Sequence, residues 1–378
     1  MCESKRFFQI LIRKNIPVHQ NLIFKDKKSA IKTKRGNLNM VMCLHCGFVF
    51  NKSFDHKKLN YGGNYDNAQH NSSFFEKYLD YLIDYLLKQK NSIFSIAEIG
   101  CGDGFFLKKF IKKSPHLHGV GFDPSYKGSK TVLNRRLVFK REYFTSSSIE
   151  HIPDLVICRH VIEHIKEPLQ MIQNISKILF EHQESHIFFE TPDVKWTLQN
   201  KVLYDFTYEH CSLFNKSSLS FAFHKAGFKI LKVQNQFGGQ YIWLEAKPST
   251  SSIPTILNNS QLFKLAKKYR TFEDKTKKLW YKKILEYSKK GNVALWGAAG
   301  KGTSFINLFD PDCKLIDSII DINPNKWNKH IAGTGHIIID PISIIDRKIK
   351  TIIVMNPNYY NEIKSYLYVQ KIKVDLIK

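Results

Sequence analysis

The sequence predicts an α/β protein with more than one folding unit, and three observations lead there. The chain has 378 residues, long for a single compact core. In "SIFSIAEIGCGDGFFLKKF", residues 92–110, an apolar strand, a glycine turn and a helix follow one another. The same succession returns in "NVALWGAAGKGTSFINLF", residues 292–309. Repeated strand–turn–helix units build parallel sheets covered by helices.

Lysine and arginine number 58 against 33 acidic residues, a formal charge of +25 that favours anionic partners in general. The basic residues are scattered, with no run of five or six and no arginine-rich arm, so no dedicated nucleic-acid surface is expected. No apolar run reaches the roughly 18 residues of a membrane span. The N-terminus "MCESKRFFQILIRKN" lacks a signal-like apolar core. A cytoplasmic protein without membrane contact is therefore expected, and seven cysteines, mostly outside short motifs, fit a reducing compartment.

The first local motif is "CLHCGFVFN", in which Cys43 and Cys46 have the spacing that lets two thiolates grip one zinc ion. Upstream only Cys2 is available as a third ligand, with His19 as an unusual fourth. The alternative is a small apolar knuckle with free thiols. After the Gly/Asn-rich connector "NYGGNYDNAQHNSS", a core-facing helix is expected in "SFFEKYLDYLIDYLLK". Ser73 and Glu76 would form its capping box, and Phe74, Tyr78, Leu82 and Tyr85 its apolar stripe.

The next strand is expected over Phe94–Ile99, with a helix starting near Asp103. Its glycine turn reads Glu98-x-Gly100-x-Gly102-x-Gly104, tighter than a dinucleotide fingerprint and preceded by an acid. Such a turn suits an amino-acid tail carrying a sulfonium, which needs close backbone approach and a nearby carboxylate. About twenty residues on, "HLHGVGFDPSY" places Asp123 at the end of a second strand, where a carboxylate can take two ribose hydroxyls. The paired motifs resemble the class I S-adenosylmethionine-dependent methyltransferases, and "REYF" (141–144) and "PDLVICRHVIEHIKEP" (153–168) extend the resemblance. It implies a central seven-stranded Rossmann-like sheet. It further implies S-adenosylmethionine held by Glu98, Gly100, Gly102, Gly104, Asp123, Tyr143, Phe144 and His160.

The chain continues past the Ser/Pro/Asn-rich "LEAKPSTSSIPTILNNS" into a helical stretch and then the second glycine turn, Gly297, Gly300 and Gly302. That turn either cradles a phosphate or simply reverses the chain tightly. The order of units resembles the three-domain C-methyltransferases of nucleotide-activated deoxysugars, carried by "FDPSY", "YEHCSLF" and "WGAAGKGT". The expected layout is a zinc-binding unit at 1–60, a methyltransferase domain at 61–246, a linker at 247–261 and a Rossmann-like substrate-binding unit at 262–378. The implied substrate is a nucleotide-linked keto-deoxysugar, and the implied metal is zinc on Cys2, Cys43 and Cys46.

Carbon methylation beside a keto group requires loss of a C–H proton and support for the resulting enolate. The segment "LYDFTYEHCSLF" (203–214) offers His210 as general base, Glu209 to orient it or contact a sugar hydroxyl, and Tyr208 to donate to the enolate oxygen. His164 is either a second substrate-side imidazole or a satisfied histidine at a helix start. Thr207 stands where such enzymes commonly carry a tyrosine. The competing functions are an O- or N-methyltransferase of another small metabolite, an RNA methyltransferase and a non-catalytic binding protein.

Overall fold

The computed structural model describes residues 1–59, 69–89, 93–249 and 259–378, without the side chains of Gln89 and Ser146. Most of the Gly/Asn-rich connector and the middle of the predicted linker lie outside the described residues. The N-terminal part contains β1 (Phe7–Pro17), β2 (Ile23–Phe24), α1 (Lys27–Ile31), β3 (Arg35–Cys43) and β4 (Val49–Asn51). The central part begins with α2 (Ser73–Gln89), β5 (Ser95–Ile99), α3 (Phe105–Ile111), β6 (His118–Phe122), β7 (Thr131–Val132) and β8 (Leu137–Lys140). It continues with β9 (Leu155–Arg159), α4 (Pro168–Leu179), β10 (His186–Pro192), α5 (Val194–Gln199), β11 (Ser212–Leu213), α6 (Lys216–Lys225), β12 (Phe228–Gln236) and β13 (Tyr241–Pro248). The C-terminal part holds α7 (Ser260–Ser288), β14 (Asn292–Trp296), α8 (Gly300–Phe309), β15 (Ser318–Ile320), β16 (His330–Ile331), β17 (Ile338–Ile339), β18 (Ile349–Val354), α9 (Tyr360–Val369) and β19 (Asp375–Ile377).

The central sheet runs β12-β13-β10-β9-β5-β6-β8-β7. Its inner strands are parallel, and β13 returns antiparallel to β10. This is the expected seven-strand layout of the class I methyltransferases with one addition, the two-residue edge strand β7, so the sheet has eight strands. Strands such as "LVICR" are almost continuously apolar because helices cover both faces. The strand order reverses between β5 and β9, which opens a crevice at their carboxyl ends.

Helix α2 forms where predicted, but its buried stripe is shifted. Phe75, Leu79, Leu82, Ile83 and Leu86 enter the core, whereas Phe74 is exposed. The capping box does not form: Ser72 Oγ accepts from Phe75 N at 3.2 Å, and Glu76 pairs with Lys109 instead. Glu362, at the start of α9, accepts hydrogen bonds from the Ser72 and Ser73 hydroxyls at 2.6 and 2.8 Å. A negative charge at a helix N-terminus is favourable, so the C-terminal part adds to the cap that Ser72 supplies.

The second parallel sheet has the order β17-β15-β14-β18-β19. The N-terminal sheet, β1-β3-β4-β11, is antiparallel and takes its last strand from residues 212–213, while β2 pairs with β16. One apolar core joins Ile10, Leu38 and Met40 to Phe206, Tyr269, Leu295 and Phe305. The N-terminal unit therefore does not have the separate core that the expected 1–60 boundary implies. Lys247 and Pro248, assigned to the linker from sequence, are the last residues of β13.

At the junction of these parts lies Arg13, 6 % exposed. Its Nε donates to Glu273 of α7 at 2.9 Å, and its other nitrogens donate to the carbonyls of Leu203 (2.7 Å) and Phe206 (3.2 Å). Arg13→Ala leaves all three acceptors buried without this donor, and is expected to lower stability by about 3–5 kcal/mol. A urea midpoint indistinguishable from that of the parent would show that the pair contributes nothing to holding the junction.

Candidate active site

The crevice of the central sheet begins at the turn after β5. Gly100, Gly102 and Gly104 all have left-handed backbone, with φ of 72°, 56° and 76°. A Cβ on Gly100 would collide with Val161 and one on Gly104 with the Phe139 ring, whereas above Gly102 there is open space. Asp123, just past β6, accepts from Gly102 N at 2.8 Å through Oδ2 and from the Ser125 hydroxyl at 2.6 Å through Oδ1. The carboxylate thus shapes the loop and stands beside its open position. Glu98 is 3 % exposed, and its Oε2 has no hydrogen-bond partner among the described residues. Burial raises its pKa to about 8 despite the pull of Arg159. An orphaned, buried carboxyl oxygen beneath an open glycine loop fits a ligand that brings its own cation. Phe144 packs edge-on against Phe122 with centroids 5.2 Å apart, while Tyr143 is 74 % exposed.

The ends of β9 and β10 carry a buried charge network. Arg159 Nε donates to Glu190 Oε1 at 3.1 Å, and the Tyr78 hydroxyl of α2 donates to Glu190 Oε2. His160 lies between two carboxylates: Nδ1 is 3.3 Å from Glu163 Oε1, and Nε2 is 3.1 Å from Glu190 Oε1. Both are ion-pair distances, although neither contact has hydrogen-bond alignment. Burial alone would depress the imidazole pKa, but the two carboxylates carry it to about 9. Burial likewise opposes ionisation of Glu163 and Glu190, and is overcome by His160 for the first and by Arg159 and His160 for the second, leaving each at about 2. Two anions and two cations therefore neutralise one another out of water. His160 has left-handed backbone, φ 55°, fixed by its amide bond to Glu190 O at 2.8 Å. Such strain persists where the surroundings over-determine it, and it clusters at functional sites. Sequence reasoning placed His160 here and missed Tyr78, Arg159, Glu163, Thr191 and Glu190. A lone glutamate inside the apolar run "FFETP" was the available signal for the last.

The predicted catalytic residues separate into two groups. His164 and His210 meet with ring centroids 4.9 Å apart and planes at 89°. Burial and the neighbouring His164 push His210 down to about 4, so it is a neutral acceptor at pH 7 rather than a group titrating near neutrality. The other two face away. Tyr208 is fully buried, its ring over Gly36, and its hydroxyl accepts from Asp55 N at 2.9 Å and donates to Asp55 O at 3.2 Å. Both hydrogen-bonding capacities of the hydroxyl are thus taken up by the Asp55 backbone. Glu209 is also buried and points to the N-terminal part: its oxygens lie 2.9 Å from His19 Nδ1 and 2.9 Å from Gln20 N. No contact joins Glu209 to His210 among the described residues, and His19 does not gather with the three cysteines there.

Among the described residues two sets of donors are close enough to share one ion: Cys2, Cys43 and Cys46, and Glu163, His164 and His210, each with ligand atoms within 4.8 Å of one another. Cys2 and Cys43 sulfurs are 3.4 Å apart. The bonds Gly47 N to Cys43 O and Cys43 N to Phe48 O wrap the backbone around the thiols. The knuckle is tied down by Asn215 Nδ2 to Gly47 O (3.0 Å) and Asn259 Nδ2 to His45 O (2.6 Å). Three convergent thiols, two of them on an anchored turn, fit zinc. In the second set, Glu163 is already engaged by His160 and by the Thr191 hydroxyl.

A methyltransferase-domain family profile matches residues 69–233, and a C-methyltransferase C-terminal domain profile matches residues 243–372. The ubiquinone biosynthesis O-methyltransferases of Aliivibrio fischeri strain MJ11 and Vibrio cholerae strain M66-2 are 26 % and 24 % identical over 119 and 120 residues. Each match takes in 29 % of this chain and 49 % or 47 % of the relative. The chain thus spans about half the length of the curated relatives it matches. Among solved structures, the plantazolicin methyltransferase BpumL with SAH aligns at 16 % identity and a TM-score of 0.38 over 49 % of this chain and 87 % of its own. The magnesium protoporphyrin IX methyltransferase ChlM of Synechocystis aligns at 16 % and 0.36 over 50 % and 90 %. The chain thus carries a methyltransferase domain followed by a C-methyltransferase C-terminal domain.

Proposed function

We propose that this protein transfers a methyl group from S-adenosylmethionine to the carbon beside a keto group of a nucleotide-activated deoxysugar. The observation that carries the reading is His210, a half-buried imidazole kept unprotonated beside His164 and Glu163, just past the end of β9. S-adenosylmethionine supplies an electrophilic methyl on sulfur. Glu98 and the Gly100–Gly104 loop would hold its amino-acid end, and Asp123 its ribose hydroxyls. His210 accepts the proton from the substrate carbon, the C–H electron pair passes into the adjoining carbonyl, and the carbon then forms its bond to methyl as the thioether leaves. His164, perpendicular to His210, is the imidazole next to the developing oxyanion. The low pKa makes His210 a weak base, so the reaction depends on stabilising the enolate as much as on proton removal.

His210→Ala is expected to bind S-adenosylmethionine normally and to lose roughly 10²–10⁴-fold in turnover. With a non-transferable analogue of the cofactor, wild-type protein should wash solvent deuterium into the carbon beside the keto group, and the variant should not. Transfer to oxygen, the activity named for the curated relatives, predicts no such exchange in either protein. Exchange retained by His210→Ala would move the base to another residue.

Asp123→Ala removes a carboxylate whose charge-assisted bonds to ribose are each worth about 1.5–3 kcal/mol, so titration calorimetry should show cofactor affinity at least about tenfold weaker. Unchanged affinity rejects the ribose assignment. For the N-terminal cysteines we propose one zinc ion per chain, read by elemental analysis and lost in Cys43→Ser. Zinc retained in that variant would place the ion on the Glu163, His164 and His210 set instead.

A further inference from the structure

Glu163, His164 and His210 bring one carboxylate and two imidazoles together, with ligand atoms within 4.8 Å of one another. No thiol takes part, which separates this set in chemistry from Cys2, Cys43 and Cys46. Glu163 is 1 % exposed; its Oε2 accepts from the Thr191 hydroxyl at 3.1 Å, and its Oε1 has no hydrogen-bond partner among the described residues. His160 Nδ1 stands 3.3 Å from that oxygen but is not aligned to donate to it. A buried carboxylate oxygen without a donor is costly, and a cation satisfies it.

The two rings are spaced as a shared ion would space them. Imidazoles held about 2.1 Å from one tetrahedral ion have ring centres about 5 Å apart. Those of His164 and His210 are 4.9 Å apart. The backbone fixes both mounts. His164 closes the short turn Ile162–His164 beyond β9, its amide bonded to Val161 O at 2.9 Å. His210 stands at the centre of a tight turn in which Cys211 N donates to Glu209 O at 3.0 Å. The Ser212 hydroxyl donates to Ile165 O at 2.6 Å and ties one turn to the other. The bond from Thr191 gives Glu163 the outer support that ligating carboxylates carry.

We propose that Glu163, His164 and His210 form an exchangeable site for a first-row transition dication such as zinc or cobalt. Two nitrogens and one oxygen suit such ions better than magnesium or calcium, which take oxygen ligands. Three protein ligands leave a coordination position for water. Because Glu163 also faces His160, the ion shares its only anionic ligand and binds reversibly, unlike zinc on three thiolates. A metal on His210 occupies the lone pair that would receive the substrate proton. Occupancy therefore switches methyl transfer off, a consequence that rests on His210 being the base, whereas the site itself rests on geometry alone.

The test uses the full chain, washed with a mild chelator so that only tightly held metal remains, and titrated with cobalt chloride. Cobalt on imidazole and carboxylate absorbs in the visible without the near-ultraviolet thiolate charge-transfer band that the cysteines would give. Wild type is expected to take up one such ion per chain, and Glu163→Gln to bind it at least tenfold more weakly with its zinc content unchanged. Should that variant fail to fold, His164→Ala, at a half-buried position, provides the same reading. No cobalt spectrum free of thiolate absorption in wild type, or equal affinity in the variants, overturns the site. Cobalt bound there while methyl transfer continues at the metal-free rate supports the site and rejects His210 as the base. No cobalt bound, with solvent exchange still lost in His210→Ala, overturns the site and leaves the base in place.

Discussion

A single buried guanidinium determines where the segment before His210 runs. Residues 203–211 cross the middle of the molecule with little regular structure of their own, so their backbone carbonyls need donors from elsewhere. Arg13 supplies two of these bonds, and Glu273 keeps its charge compensated in a place that water does not reach. Once the carbonyls of Leu203 and Phe206 are fixed, the side chains that follow are directed in turn. Asp205 meets Lys301 on the C-terminal side, Tyr208 enters the N-terminal sheet and Glu209 meets His19. Three parts of the chain converge on one short strip, and His210, half-buried, is left beside His164.

The electrostatics of the crevice follow from burial. Glu163 and Glu190 remain charged because Arg159 and His160 are charged beside them, and the left-handed twist at His160 holds its ring between the two. His210 lies next to this network without joining its ion pairs and stays neutral. Glu98 is the unbalanced member: buried, with an unsatisfied oxygen, it takes up a proton until a cation arrives. The pocket is polarised in advance, with one position waiting for positive charge and one able to accept a proton.

Much of this was legible in the sequence because it is local. The Glu98–Gly104 turn, Asp123 one strand later and the second glycine turn are short motifs whose geometry depends on immediate neighbours, and each forms as expected. The partners of Tyr208 and Glu209 were not legible, because Asp55 and His19 stand more than 150 residues away and no local pattern reveals such pairing. The same holds for the cap of α2. Ser73 and Glu76 have the spacing of a reciprocal cap, but Glu362 takes the serine hydroxyls and Lys109 takes Glu76. The sheet order was implied by family resemblance, whereas the shared core of the N- and C-terminal parts had no signature in either segment alone.

The strand β11 has a consequence for biosynthesis. The N-terminal sheet takes its last strand from residues 212–213, and β2 finds its partner only at residues 330–331. As the chain leaves the ribosome, the first fifty residues thus cannot complete their hydrogen-bonding while the central sheet is being made, although N-terminal parts commonly fold first. β4 presents an open edge until translation has passed residues 212–213, and β2 waits longer still. The central sheet, whose strands lie within one contiguous stretch, is free to assemble ahead of the part that precedes it. The order of folding would then run from the middle of the chain outward, with the segment bearing His210 sealed in place last, between two finished sheets.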